Sequence, residues 1–168
     1  MMTRKTRGFS LVELVIVVVI IGVIAAIAVP RISRGARGAG ESALRGSLAS
    51  MRNAIDMYAA EHGGAWPGAD GLEATLVDQL TKNTNSSGAT GTGSSYPYGP
   101  YLRRGMPPVP VGPNSARATG VIMTNVAPIT GEVDEAQTTK GWVYNYSTGE
   151  IICNTDDTDE AGDGYEDY

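Results

Sequence analysis

The sequence predicts an α+β fold in which one long N-terminal helix, transmembrane and then amphipathic, packs on a small antiparallel sheet. Three observations carry this expectation. From Phe9 to Val29 the chain is apolar apart from a single charge, Glu13. Further on, Leu44, Leu48, Met51, Ile55 and Tyr58 recur at steps of four and three, which places them on one helical stripe. Near the C-terminal end, Trp142, Tyr144 and Tyr146 alternate, Ser147-Thr148-Gly149 supplies a turn, and Ile151 and Ile152 return, which is the pattern of a β-hairpin.

The first element begins behind a basic leader, Arg4, Lys5 and Arg7, that ends at Gly8. A helix from Phe9 to Val29 is roughly 32 Å long at about 1.5 Å per residue. That matches a hydrocarbon core of about 30 Å, so the segment can span a bilayer. Glu13 stands out within it, because a carboxylate in an apolar helix costs on the order of 2.5–3.5 kcal/mol and normally has a partner or a task. A shallow position, with the side chain reaching the headgroups, is one way to relieve that cost. Pro30 removes a backbone donor and is expected to kink the helix at the membrane exit. Flanking charge does not orient the span, since Arg31, Arg34 and Arg37 follow it as closely as the basic leader precedes it.

The combination of basic leader, Gly8, Phe9, Glu13 five places after the glycine, and a long apolar helix interrupted at Pro30 resembles the type IV prepilin N-terminus. The resemblance implies that a membrane aspartyl peptidase cuts between Gly8 and Phe9 and methylates the new amine of Phe9. It also implies that the Glu13 carboxylate neutralises the N-terminal ammonium of a neighbouring subunit during filament assembly. Each charge alone is costly in an apolar core, and as a pair they fix the register of two helices. It further implies that the leader is cytoplasmic. A competing parse takes Ala26-Ile27-Ala28 as an ordinary signal-peptidase site, with the mature chain starting at Val29. Glu13 inside the apolar region and the length of that region count against it.

Composition narrows the remaining possibilities. Gly is 22 of 168 residues and Phe occurs once, so the part after the membrane helix buries only a modest core. The formal charge is −5, and loss of Arg4, Lys5 and Arg7 takes it to −8. An acidic surface argues against a nucleic-acid binder that works by bulk charge, and no nucleic-acid partner is expected. Cys153 is the only cysteine, so no intrachain disulfide forms, and the sequence assigns it no role. His62 is the only histidine, which excludes His-cluster metal sites. No nucleophile–base pair, phosphate-cradling loop or metal triad stands out, so no catalysis is expected.

The amphipathic half of the helix covers 31–62. Gly35, Gly38, Gly40 and Gly46 each weaken it by about 1 kcal/mol relative to Ala, so its first part is expected to bend or melt easily. His62-Gly63-Gly64 ends it. The run Asn53 to Pro67 resembles the end of the long helix and the glycine-aromatic-proline loop of type II secretion major pseudopilins, with Trp66 where tyrosine is commoner. Asp70 to Ala74 resembles the start of their short second helix, running here to about Leu80. From Thr81 to Ser95 the chain is almost all Thr, Asn, Ser, Gly and Ala, and is expected to be a mobile loop. Tyr96 to Pro113 is proline-rich and is read as an extended strap, similar to the G-P-Y-L stretch of the same family, rather than as a ligand for aromatic grooves. Gly120 to Val126 reads as a strand, and the W-x-Y-N and T-G-E-I pieces of the hairpin Gly141 to Ile152 also recur in that group.

The last stretch, Asn154 to Tyr168, has carboxylates at Asp156, Asp157, Asp159, Glu160, Asp163, Glu166 and Asp167 and no basic residue. Two readings stand. It is a solvated tail, or it is a calcium loop, since hard oxygen ligands in a glycine-containing loop can hold that ion. The resemblance to major pseudopilins, in which a C-terminal loop often binds that ion, favours the second; if calcium binds, Asp156, Asp157, Asp159 and Asp163 are the expected ligands, although Ala161 breaks an EF-hand spacing. The chain thus divides into a leader (1–8), a transmembrane and assembly helix (9–30), an amphipathic half-helix (31–62), a small globular domain (63–155) and an acidic tail (156–168). The expectation is a pseudopilin-like filament subunit of a type II secretion system, anchored by a single pass in a bacterial inner membrane with its C-terminal domain in the periplasm. Its implied partners are further copies of itself, the prepilin peptidase, the inner-membrane assembly platform and, before assembly, lipid. A pilin of an extracellular fibre and a DNA-uptake minor pilin are the alternatives. The first lacks support from a C-terminal cysteine pair, and the second would need a basic strip.

Overall fold

The apolar stripe of the amphipathic half-helix is the surface on which the globular part is built. The structure is a computed structural model that describes residues 9–112, 118–129 and 139–168, with only the backbone of residues 30, 33 and 34. Two compact units cover residues 1–39 and 40–168. Helix α1 is Leu11–Glu61 and α2 is Glu73–Thr81, followed by β1 Asn83–Thr84, β2 Thr90–Gly91, β3 Gly120–Thr124, β4 Lys140–Asn145, β5 Ile151–Cys153 and a single 3-10 turn at Tyr165–Asp167. Leu44, Leu48, Met51, Ile55 and Tyr58 are all buried, and they share one core with Leu76 and Leu80 of α2 and with Trp142, Tyr144, Ile151 and Cys153 of the sheet. Burying a side chain of the Leu or Ile class contributes about 1.5–3 kcal/mol, so this stripe supplies much of what holds the unit together.

Helix α1 is continuous through Pro30, so the chain stays helical where the proline was expected to kink it. Proline removes only one backbone bond, and the bonds on either side carry the helix past it. It also passes through Gly35, Gly38 and Gly46, where an added Cβ would meet open space. At Gly40 that Cβ would lie 3.3 Å from Pro110 O, which marks where the strap crosses the helix.

The three-stranded sheet has the order β3-β4-β5. β4 and β5 are antiparallel, with Trp142 opposite Cys153 and Tyr144 opposite Ile151, as the hairpin pattern requires. β3 is parallel to β4, with Val121 opposite Trp142, so the sheet is mixed where an all-antiparallel one was expected. The connection 125–139 is long enough for the dozen or so residues that a parallel crossover needs. The alternation in β4 also hides a second buried face. Trp142 and Tyr144 join the helix core, while Val143 packs with Ile152, Ile129 and Ile122 in a small cluster on the other side.

The stretch expected to be a mobile loop is a fastened hairpin. β1 and β2 pair antiparallel, and Thr84 pairs again with Tyr98. Between the two strands, Asn85 Oδ1 accepts from the backbone of Ser87 and Ala89, and Gly88 takes a positive φ of 79°. Gln79 bridges the hairpin to the preceding loop, accepting from Gly68 N at 2.8 Å and donating to Gly88 O at 3.0 Å. His62 closes the arrangement. Its ring stacks on Tyr58 at 3.8 Å, Nδ1 lies 2.8 Å from Tyr58 O, and Nε2 lies 2.9 Å from Asn85 O and 3.1 Å from the buried Thr84 hydroxyl. Polar side chains therefore order a segment that has little apolar surface to bury.

The strap reading holds for the described part, with Pro113 lying outside it. Leu102, Met106, Val109 and Val111 are buried, Tyr101 N and Leu102 N both donate to Leu80 O, and Trp142 Nε1 donates to Pro107 O at 2.8 Å. The loop after α1 is held just as directly. Tyr144 Oη donates to Pro67 O at 3.0 Å, and Gly149, at φ 77°, lies where a Cβ would come within 2.5 Å of the Trp66 ring. Only glycine fits that turn.

His62→Phe keeps the ring stack on Tyr58 and removes all three polar contacts. Expected is a loss of about 1–3 kcal/mol in stability and faster amide hydrogen exchange at residues 83–91. Exchange there as slow as in the unchanged chain would contradict the fastening role.

Candidate functional site

Two regions carry the functional candidates, one in each compact unit. In the N-terminal unit, α1 opens with Leu14 N donating to Ser10 O at 3.1 Å, which puts Glu13 in its first turn. Phe9 and Ser10 precede the helix. A carboxylate in the first turn lies beside unsatisfied backbone N–H groups and the positive end of the helix dipole. Gly8 lies outside the described residues, and Phe9 is 76% exposed.

The span Leu11–Val29 has a mean hydropathy of 3.2, and none of it is buried. Valine, isoleucine and leucine side chains stand uncovered round the whole helix rather than along one face. A helix apolar on every side is stable only when wholly surrounded by apolar material, as in a bilayer or a bundle. Within that material, Glu13 is the only ionisable group of the span.

The acidic region is a folded loop rather than a free tail. Tyr165 is buried in the main core, its N donates to Asp157 O at 3.0 Å, and its hydroxyl reaches Glu41 on α1. Asp159 closes the loop from within. Its Oδ1 accepts from Ala161 N at 2.7 Å and Asp163 N at 3.0 Å, and its Oδ2 accepts from the Tyr168 hydroxyl at 2.6 Å. The Tyr168 bond, with backbone donors assisting, holds the Asp159 carboxyl below its ordinary value. The same bond pushes the Tyr168 hydroxyl up to about 12. Arg45 lies over the Tyr168 ring at 4.2 Å, and Arg52 donates to Tyr168 O at 2.7 Å and Ile151 O at 3.2 Å. Neither arginine lies on the apolar stripe, and no sequence signal tied them to the loop.

The structure does not gather the proposed calcium ligands. Asp156, Asp157 and Asp163 point to solvent, while both oxygens of Asp159 are taken by donors. Among the described residues, no three His, Cys, Asp or Glu side chains converge in a way that could hold a metal ion. Among the described residues, the one orphaned side-chain oxygen is Oε2 of Glu166, buried without a hydrogen-bond partner and outside the expected set. The loop as folded does not fit a four-aspartate cage. Cys153 is likewise inert: burial first, then the Glu166 and Asp157 carboxylates, push its thiol up to about 12, so it packs as a small apolar group.

Residues 3–29 match the family described as the prokaryotic N-terminal methylation motif. The chain carries a type IV prepilin-like N-terminus. The match ends before the amphipathic half of α1, and no curated protein and no solved structure matches the chain. A prepilin-type motif implies processing by a prepilin peptidase and assembly into pilus-like filaments. The uncovered helix fits the single-pass anchor typical of prepilins.

Two outcomes follow. The intact mass of membrane-extracted protein is expected to show loss of residues 1–8 and gain of one methyl group, and Gly8→Leu to leave the precursor uncut. A mature N-terminus at Val29 would contradict this. In the acidic loop, Tyr168→Phe is expected to lower the melting temperature of the detergent-extracted chain equally in chelator and in calcium. Because the folded Asp159 titrates below its ordinary 3.8, the bond's contribution is present above that value and lost as pH falls through the lower folded one. The difference between the two chains should therefore shrink in strong acid. A destabilisation seen only with calcium present would return Asp159 to a ligand role.

Proposed function

We propose that the chain is a pseudopilin-like filament subunit working in type II protein secretion. The observation that carries this reading is Glu13, the single charge in the first turn of a span that is apolar on all sides and unburied among the described residues. Before assembly, lipid covers the helix, and Glu13 near the membrane edge can reach the headgroups. In a filament no such edge exists. The carboxylate then lies among packed helices, and the cation that processing creates is the amine of Phe9 on a neighbour. Its role is structural, and toward the prepilin peptidase it is a substrate rather than an enzyme. The inner-membrane assembly platform would extract it, and the globular unit would lie in the periplasm.

The secretion assignment is supported by how the pseudopilin-like stretches meet. The Trp66-Pro67 loop, the strap and the β4–β5 hairpin are bound to one another through Tyr144, Gly149 and Trp142. They form one cap on the α1 stripe rather than three separate likenesses. A pilin of an extracellular fibre shares the N-terminus. A DNA-uptake subunit would need a cationic strip, whereas two of the few cations of the globular part, Lys82 and Lys140, are paired with Asp78 and Glu73.

Glu13→Leu makes the helix more apolar, so membrane insertion and cleavage are expected to persist. Filament formation is expected to fail, because the neighbour's ammonium loses its partner. Disulfide crosslinking of cysteines introduced along the apolar helices, read beside a secretion assay, checks this. Crosslinking and secretion at unchanged levels would reduce Glu13 to part of a plain anchor.

A further inference from the structure

The strap and α1 enclose a concavity of about 480 Å³ within the globular unit. Its floor is the small-residue face Ala43, Gly46, Ser47 and Ser50 of α1, and Arg103 and Arg104 stand on its wall. Both arginines are exposed, and neither has a hydrogen bond or ion pair among the described residues. An added Cβ at Gly46 would meet nothing within 4 Å, so the floor is open to an incoming group. The acidic loop offers the complementary surface. Asp156, Asp157, Glu160 and Asp163 are exposed, and the loop's inner contacts are made instead by Asp159, Tyr165 and Tyr168. The two surfaces cannot meet within one copy. Glu41, Arg45 and Arg52 hold the loop, and at about 100° per residue these positions lie on the side of α1 opposite the concavity floor.

We infer that the Arg103–Arg104 concavity receives the acidic loop of a second copy of this chain. The inference rests on the filament reading and specifies one contact within it. Complementary patches on opposite sides of one helix make a heterologous interface, which repeats from copy to copy into an open array instead of closing as a dimer. Arginine suits the task, since its planar fork grips carboxylates two-pronged and is weakly hydrated. Exposed charge pairs of this kind set register and choice of partner more than affinity.

The test uses the full chain in its native membrane, with cysteines introduced at Ser50 on the concavity floor and Glu160 on the loop. The native Cys153 is buried and does not interfere. Oxidation is expected to give a ladder of crosslinked copies. Arg103→Glu with Arg104→Glu should abolish the ladder, and adding Asp156→Arg with Asp157→Arg should restore it. A second cysteine pair along the apolar helices reports assembly independently. Crosslinks there without a Ser50–Glu160 ladder, or a ladder unaffected by charge reversal, would overturn this contact while leaving the filament reading intact. Absence of both ladders would overturn both.

Discussion

One helix is asked to satisfy two environments, and every other element is arranged around that demand. The second half of α1 offers a narrow apolar stripe, Leu44 to Tyr58, against which α2, the strap and the sheet bury their own apolar side chains. Its first half offers apolar side chains on all sides, and none of that span is buried among the described residues. The apolar half therefore depends on lipid or on other copies, and the difference between those two surroundings falls on a single group, Glu13. Lipid lets the carboxylate reach water, whereas a helical bundle must supply a cation.

The globular unit solves a different problem, which is to stay folded with few large side chains. It does so with polar fasteners placed at the ends of its irregular segments. His62 ties the β1–β2 hairpin to the end of α1, Gln79 ties it to the preceding loop, Trp142 and Tyr144 bind backbone carbonyls of two proline-containing loops, and Asp159 with Tyr168 closes the acidic loop. Each hydrogen bond contributes only about 0.5–1.5 kcal/mol net, but leaving its buried groups unpaired would cost more. Arg45 and Arg52 extend the same device to α1. They convert an acidic segment that would repel itself into a surface with its free charges turned outward.

What was legible in the sequence follows from the range of the signals. Helical periodicity in Leu44 to Tyr58 and strand alternation in Trp142 to Tyr146 are local and repetitive, and both elements stand where the pattern puts them. The spacing of Gly8 and Glu13 was legible because it is a motif of chemistry, and residues 3–29 match the methylation motif. Long-range polar contacts leave no periodic trace. Composition alone made Thr81 to Ser95 a loop, because nothing in that run announces that Asn85 would fold it or that His62 would hold it. The parallel pairing of β3 was hidden likewise, since strand pattern fixes faces and not direction. The aspartates read as calcium ligands show the limit most plainly: counting carboxylates could not reveal that Asp159 faces inward to Tyr168.

The central claim is that α1 assembles copies through its apolar half, with Glu13 paired in trans. Electron cryo-microscopy of assembled filaments tests it most directly. The account predicts a core of bundled apolar helices with each Glu13 carboxylate about 3 Å from the methylated Phe9 nitrogen of a neighbouring copy. Filaments whose apolar helices stay apart, or in which Glu13 faces solvent with no ammonium beside it, would contradict it.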